Sequence, residues 1–165
     1  MCFRTMRKEK IHQLIIAKLQ DDLAVAQQAA NTAHATATHE ESVAENKYDT
    51  FGLEASYLAE GQSRRVREFE AALASYQNTP PKHFTDQDEV AVFALVTLEA
   101  EDGSERRLFV GPEAAGFKFL LDEQEVLVIT RRSPIGMKLM GKMVGDVVAL
   151  VAGNGEKEFE IVEIE

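Results

Sequence analysis

The stretch HQLIIAKLQDDLAVAQQAANTAHATA, residues 12–37, decides the fold of the first half of this chain. Its small and apolar residues alternate spacings of four and three: His12, Ile16, Leu19, Leu23, Ala26, Ala30, Ala33 and Ala37. Residues 48–76 carry a second set with the same alternation: Tyr48, Gly52, Ala55, Ala59, Gln62, Val66, Phe69, Leu73 and Tyr76. This spacing places each set on one stripe of a helix. Two long helices are therefore predicted.

The two stripes are arranged symmetrically about Ala44, so the helices are predicted to fold back on each other as an antiparallel coiled-coil hairpin over residues 1–79. Helix one is expected to begin between Arg7 and Lys10 and to end near Thr38. At 1.5 Å per residue the arm is roughly 48 Å long. The stripe residues become smaller toward the apex, where residues 39–46 read HEESVAEN. The hairpin is predicted to be thin and acidic at its end.

The second half follows a proline-containing linker and has a different periodicity. Helix two is expected to end near Gln77, before Pro80. Segments rich in β-branched and aromatic residues, separated by turn residues, predict five strands, over residues 90–98, 107–110, 125–130, 147–151 and 159–164. Between the first two, Glu101-Asp102-Gly103-Ser104 predicts a hairpin turn. Ser133 and Pro134 predict the start of a short helix that ends at Gly141. The expected fold class is α+β, with residues 80–165 forming a small, mostly antiparallel β domain.

Composition excludes several classes of protein. No apolar run approaches the ~18 residues that a membrane span needs, and a cytoplasmic location without a membrane partner is expected. The single cysteine excludes a disulfide within the chain and a cysteine metal site. Residues 1–79 carry nine Lys/Arg against eleven Asp/Glu, whereas residues 80–165 carry nine against seventeen. This acidic second half disfavours general binding to a phosphate backbone.

One segment of the second half has a distinctive order of motifs. It reads ITRRSPIG at residues 129–136, followed by Leu139, Gly141-Lys142 and VGDVV at residues 144–148, and the chain closes with EFEIVEI at residues 158–164. In this order and spacing the segment resembles the Gre factors, which enter the secondary channel of bacterial RNA polymerase. The resemblance extends over nearly the whole chain. It implies an FKBP-like C-terminal domain that docks on the rim of the channel, with Ser133, Pro134 and Ile135 as docking residues.

The resemblance also implies a role for the hairpin tip. Glu45 and Asn46 match the Glu-Asn pair that Gre factors carry at the apex, but Ser42 stands where the family has Asp, with Glu41 immediately before it. In the family the tip carboxylates help to hold a second Mg²⁺ in the polymerase active site, so that the polymerase cuts backtracked RNA. The implied tip residues are Glu45 and Glu41, as metal ligands, with Ser42 and Asn46 beside them. The chain itself is expected to be no enzyme and to bind no cofactor stably.

The resemblance also implies contacts with RNA and with the polymerase. Arg64, Arg65 and Arg67 form a basic cluster on helix two that resembles the RNA-contacting patch of Gre factors, although Glu60, Glu68 and Glu70 offer ordinary helix ion pairs. The expected partners are core RNA polymerase in its elongation complex and, indirectly, the nascent RNA 3′ end.

One alternative is a divergent Gre homologue that occupies the channel and modulates polymerase without cleavage. A second alternative is an adaptor that binds an unrelated protein.

Overall fold

A computed structural model of the chain describes residues 2–41, 50–80, 82–153 and 155–165. It contains three helices, α1 (Cys2–Glu41), α2 (Thr50–Gln77) and α3 (Pro134–Leu139). Its six strands are β1 (Leu95–Ala100), β2 (Glu105–Gly111), β3 (Lys118–Leu121), β4 (Gln124–Thr130), β5 (Val147–Ala152) and β6 (Gly155–Ile164). The predicted α+β class, with long helices before a mostly antiparallel sheet and a short helix, is confirmed.

The described residues pack as two compact units. One unit, here called the helical unit, is Ile16–Ala74. The other, the sheet unit, combines Ser75–Glu165 with the residues of α1 up to Ile15. A division of the chain into domains at residue 79 stays a prediction, since packing units need not coincide with domains.

In the helical unit the predicted stripes are the faces that the helices bury. On α1 the buried side chains are Leu19, Ala26, Ala30, Ala33 and Ala37. On α2 the stripe residue Ala59 is buried, and so is Ala72, which lies outside the predicted stripe. A hydrogen bond of 2.9 Å joins His34 Nε2 on α1 to Ser63 Oγ on α2. Small side chains let two helices approach closely, which explains why alanine fills this stripe.

The base of α1 differs from the predicted stripe. Ile11 and Ile15 are fully buried, whereas His12 and Ile16 are only partly buried. The buried face is displaced by one residue because this part of α1 packs within the sheet unit rather than on a helix alone. α1 also begins earlier than predicted, at Cys2, and ends later, at Glu41, since no glycine or proline interrupts it. The end of α2 at Gln77 is confirmed.

The sheet has the strand order β3-β4-β2-β1-β6-β5. All neighbouring strands are antiparallel except β2 and β4, which are parallel, with Gly111 opposite Thr130. One face of the sheet forms the main core with α3, including Val96, Leu98, Val110, Ile129, Leu139, Leu150, Phe159 and Ile161. The parallel β2–β4 pair places the segments that follow these two strands at the same edge of the sheet.

One strand prediction is wrong in part, and one strand was not predicted. The predicted strand from Val90 begins only at Leu95, because Phe93 adopts a φ of 76° that an extended strand does not allow. The Phe93 N–H instead donates to the Val110 carbonyl at 2.7 Å, and its ring is buried among other aromatic rings. Strand β3 was not predicted, since it is only four residues long. No helix among the described residues is long and apolar enough to cross a membrane.

Candidate docking and tip sites

The segment after β4 is held in a tight turn that begins α3. The Ser133 N–H donates to the Thr130 carbonyl at 2.9 Å, and the Ser133 hydroxyl donates to the same oxygen at 2.7 Å. Ser133 Oγ also accepts from the Gly136 N–H at 3.1 Å, which makes it the helix N-cap, and Pro134 follows in the first turn. The predicted N-cap is confirmed. The helix ends at Leu139 rather than at the predicted Gly141.

Gly136 is required by this turn because there is no room for a side chain. A Cβ atom on Gly136 would lie 1.9 Å from the Thr130 carbonyl oxygen and 2.8 Å from its carbon. Both are backbone atoms, so they cannot move aside as a flexible side chain would. The Ser-Pro-Ile-Gly sequence therefore specifies one compact turn at the end of β4.

The three predicted docking residues are adjacent but differ in exposure. Pro134 is exposed, Ser133 is partly buried, and Ile135 is partly buried against the main core. Of the three, Pro134 is thus the one that offers most of its side chain to a partner. Ser133 and Ile135 shape and support the turn that presents it.

Glu113 connects this turn with the end of α2. The Arg132 guanidinium donates to the Glu113 carboxylate at 3.1 Å, and the Tyr76 hydroxyl donates to the Glu113 carbonyl at 2.8 Å. Burial, followed by the nearby Glu113 carboxylate, raises the pKa of Tyr76 well above its ordinary value. The Tyr76 hydroxyl therefore keeps its proton, and stays a hydrogen-bond donor, at neutral and moderately alkaline pH.

An aromatic cluster lies on the face of the sheet opposite the main core. Phe93 packs edge-on against Phe109 and Tyr76, with ring centroids 6.3 and 6.1 Å apart. The His12 ring lies 5.6 Å from the Tyr76 ring and 6.0 Å from the Phe93 ring. His12 and Tyr76 were predicted to lie on a helix-helix stripe, and this cluster was not predicted from the sequence. The only available signal was that aromatic residues occur at the outer end of both stripes.

Lys8 is a second feature that sequence analysis missed. It lies in the first part of α1, and only 3% of its surface is exposed. Its ammonium group contacts the Lys82 carbonyl and lies 4.7 Å from the centre of the Phe84 ring. Burial lowers the pKa of Lys8 from 10.5 to about 8, an effect that the Glu165 carboxylate partly opposes. The adjacent Arg7 binds the same carboxylate at 2.9 Å.

This shifted pKa makes stability depend on pH in a defined direction. Between about pH 8 and pH 10.5 the unfolded chain binds more protons at Lys8 than the folded chain. The free energy of unfolding should therefore rise with pH in this window, by less than about 1.4 kcal/mol per pH unit. Urea unfolding at pH 7.5 and 9.5 should show wild type gaining stability relative to Lys8→Met. The exposed neighbour Lys10, changed to Met, is the control, and an unchanged gap between wild type and Lys8→Met would contradict this assignment.

The basic cluster on α2 is largely paired with acids of the same helix. Arg64 Nε lies 3.1 Å from Glu68 and Arg67 Nη2 lies 3.0 Å from Glu60. The Arg65 guanidinium lies over the Phe69 ring, 5.6 Å from its centre. The two ion pairs explain the cluster as a solvated helix face, and Arg65 is the member whose charge no described ion pair matches.

The predicted tip site lies outside the part of the chain that the structure describes. Ser42, Glu45 and Asn46 lie outside the described residues, as do all of residues 42–49. Glu41 is the last residue of α1, but its side chain is likewise outside the description. Within the described residues no group of three or more His, Cys, Asp or Glu side chains could hold a metal ion.

Comparison with known proteins decides the family. Residues 85–165 match the model of the family described as transcription elongation factor, GreA/GreB, C-terminal. Over 121 residues the chain is 32% identical to transcription elongation factor GreA of Chlorobaculum tepidum, covering 72% of this chain and 69% of that relative. The chain belongs to the GreA/GreB family. The resemblance noted from the Ser-Pro-Ile-Gly and Gly-Asp motifs is thereby confirmed.

Other members of the GreA/GreB family match over a shorter length. GreA of Acinetobacter baumannii is 32% identical over 103 residues, and GreA of Alkalilimnicola ehrlichii is 34% identical over 102 residues. The chain spans 61% and 60% of the lengths of these two relatives. Among solved structures, Thermus aquaticus Gfh1 aligns with a TM-score of 0.40 and 23% identity, over 90% of this chain and 92% of that one.

Proposed function

We propose that this chain is a transcription elongation factor that binds bacterial RNA polymerase through its secondary channel and stimulates cleavage of backtracked RNA. Family membership carries this proposal, since the relatives that match are named transcription elongation factor GreA. The long antiparallel helices of the helical unit and the N-capped turn at Ser133 support it. The chain acts in the cytoplasm, where it meets the elongation complex. It does no chemistry alone, because the bond is cut in the polymerase active site.

The tip residues carry oxygen atoms that can serve as Mg²⁺ ligands. Glu45 and Glu41 would hold a second Mg²⁺ within the polymerase, since hard cations of this size prefer carboxylate oxygen. When bound, this ion supplies Lewis-acid activation of a water molecule. Asn46 can donate and accept hydrogen bonds beside the carboxylates, and Ser42 adds a neutral hydroxyl. The negative charge of the tip therefore rests on its glutamates, which are Glu40, Glu41 and Glu45.

Ser42 favours a second candidate function. A hydroxyl carries no charge at neutral pH and is a weaker Mg²⁺ ligand than the aspartate that Gre factors have at this position. A chain whose tip has lost that carboxylate would occupy the channel and slow the polymerase without supporting cleavage. The two functions differ in one product, the short 3′ RNA fragment.

Cleavage of a backtracked elongation complex tests the proposal and the tip together. Complexes with labelled RNA are incubated with the chain, and release of 3′ fragments is followed in time. Glu45→Gln should slow release by roughly tenfold to a hundredfold, the loss typical when a group that holds or orients a metal is removed. Glu41→Gln should have a smaller effect in the same direction.

The control for the tip is Glu54→Gln, which removes an exposed glutamate of α2 and should leave the rate of fragment release unchanged. Fragments released equally fast by wild type and by both tip variants would refute the tip assignment. Slower elongation without any fragments would favour the second candidate function. An absence of binding to core polymerase would refute both and leave the adaptor function.

RNA contact by the α2 basic cluster is part of the same proposal. Arg65 is its best-placed member, because Arg64 and Arg67 already hold glutamates on their own helix. Exposed ion pairs of this type contribute only about 0–1 kcal/mol, so an RNA phosphate could displace either glutamate.

A further inference from the structure

The turn and helix around Ser133 carry a charge opposite to that of their surroundings. Residues 131–143 contain four Lys/Arg and no Asp/Glu. The rest of residues 80–165 contains five Lys/Arg against seventeen Asp/Glu. The proposed docking segment is therefore basic, although the half of the chain in which it lies is acidic.

The secondary structure of α3 brings the exposed members of this segment to one side. Gly136 and Leu139 are buried, and Ile135 is partly buried against the core. Pro134, Met137 and Lys138 are exposed and follow the three-to-four spacing of one helix face, with Met137 65% exposed. Arg131 and Arg132, also exposed, precede this face directly. We call these five residues the basic-apolar surface.

The cations of this surface remain available to a partner. Arg132 pairs with Glu113 at 3.1 Å, and Lys138 pairs with Glu156 at 3.4 Å and donates to the Ala149 carbonyl at 2.6 Å. All four side chains in the two ion pairs are more than 40% exposed. Such pairs are worth only about 0–1 kcal/mol, so their partners can be exchanged at little cost. Arg131 has no ion pair in the part of the chain that the structure describes.

We propose that the basic-apolar surface binds an acidic protein surface of RNA polymerase that also presents an apolar side chain to Met137. This inference rests on the proposed function and adds the chemistry of the partner at the docking site. Charge complementarity selects the partner, since the three cations of the surface meet carboxylates while the acidic remainder of the domain repels other acidic surfaces. A nucleic acid fits less well, because the rest of residues 80–165 carries seventeen Asp/Glu, which repel a phosphate backbone that extends past this small surface.

Binding of the full chain to immobilised core polymerase at two salt concentrations tests this inference. Arg131→Glu and Lys138→Glu should each weaken binding about tenfold at about 0.1 M salt. The loss should shrink to about twofold at 0.5 M salt, where the Debye length falls to about 4 Å. Met137→Ala should weaken binding at both salt concentrations alike, because an apolar contact is not screened.

The matched control is Lys118→Glu. Lys118 is an exposed lysine of the same domain, lies on β3, and pairs with Glu125 at 3.0 Å, much as Lys138 pairs with Glu156. It changes the net charge by the same amount and should stay within about twofold of wild type. Circular dichroism at the assay temperature checks that every variant is folded, and the Arg131→Lys variant should bind as wild type does.

The outcomes separate this inference from the function on which it rests. Wild type that fails to bind polymerase would refute the proposed function and this inference with it. Wild type that binds, with Arg131→Glu and Lys138→Glu no weaker than Lys118→Glu, would refute the acidic partner alone. Tight binding of wild type to a DNA or RNA duplex without polymerase, lost in Arg131→Glu, would show a nucleic-acid surface instead and overturn the inference.

Discussion

Replacing Gly136 by alanine should lower the free energy of unfolding by about 3 kcal/mol, at the upper end of what overpacking costs. The added Cβ would lie 1.9 Å from the Thr130 carbonyl oxygen, which already accepts two hydrogen bonds from Ser133. Relief of the clash requires the turn between β4 and α3 to open. Urea or thermal unfolding measures the loss, which corresponds to a fall in Tm of roughly 6–12 °C for a chain of this size.

Gly61 offers the matched control for this substitution. It also lies in a helix, but a Cβ at this position would meet nothing within 4 Å. Gly61→Ala should therefore raise the free energy of unfolding by about 0.5–1 kcal/mol through helix propensity alone. Because both substitutions gain the same propensity, the difference between them isolates the clash at Gly136. Equal stability of the two variants would contradict the packing described for the turn.

Opening this turn should also reduce binding to polymerase if the docking proposal is correct. The Gly136→Ala chain loses the arrangement that presents Pro134, whereas Gly61→Ala leaves it intact. Binding measured below the Tm of both variants separates the local effect from global unfolding.

The second large effect is expected at Gly111, where the Tyr76 hydroxyl fills the space that a side chain would need. A Cβ on Gly111 would lie 2.0 Å from the Tyr76 hydroxyl oxygen and 2.8 Å from the Glu113 carbonyl oxygen. Tyr76 is fully buried and its hydroxyl is bonded to Glu113, so the ring cannot swing away. Gly111→Ala should cost about 3 kcal/mol of stability.

A double-mutant cycle with Tyr76→Phe tests the cause of that cost. Tyr76→Phe alone should destabilise the chain by about 1 kcal/mol, because it removes the hydrogen bond to Glu113. In the presence of Tyr76→Phe, Gly111→Ala should cost about 1–2 kcal/mol less than in wild type, since the hydroxyl that it strikes is gone. Tyr57→Phe, at an exposed position of α2, should be neutral. Strict additivity of Gly111→Ala and Tyr76→Phe would show that the hydroxyl is not the obstacle.

Much of the architecture was predictable because its signals are local. The alternating spacing of apolar and small residues predicted both long helices, and Pro80 after Gln77 predicted where α2 ends. The Glu101-Asp102-Gly103-Ser104 turn predicted the β1–β2 hairpin, in which Glu99 pairs with Glu105. Ser133 before Pro134 predicted an N-cap, and the hydroxyl performs that role. In each case the residues that carry the signal also make the contacts.

The errors arose where distant residues decide the local conformation. Val90 to Leu98 has the composition of a strand, yet Phe93 adopts a positive φ because its ring is packed among His12, Tyr76 and Phe109. Lys8 looked like one of several basic residues at the start of α1, and its burial follows from packing against Phe84. Neither contact leaves a periodic trace in the sequence.

The sequence by itself determined the paired helices, most of the strands, the capped turn at Ser133, the family and the acidic composition of the tip, because periodicity, caps and motifs act over a few residues. Only the tertiary structure decided that Glu113 receives both Arg132 and Tyr76, that Gly111 and Gly136 have no room for a Cβ, and that Arg131, Pro134, Met137 and Lys138 share an exposed surface. The contacts of Tyr76 and Arg132 with Glu113, and of Tyr76 with Gly111, join segments far apart in the chain, and close packing between such segments depends on the folded backbone rather than on any local pattern.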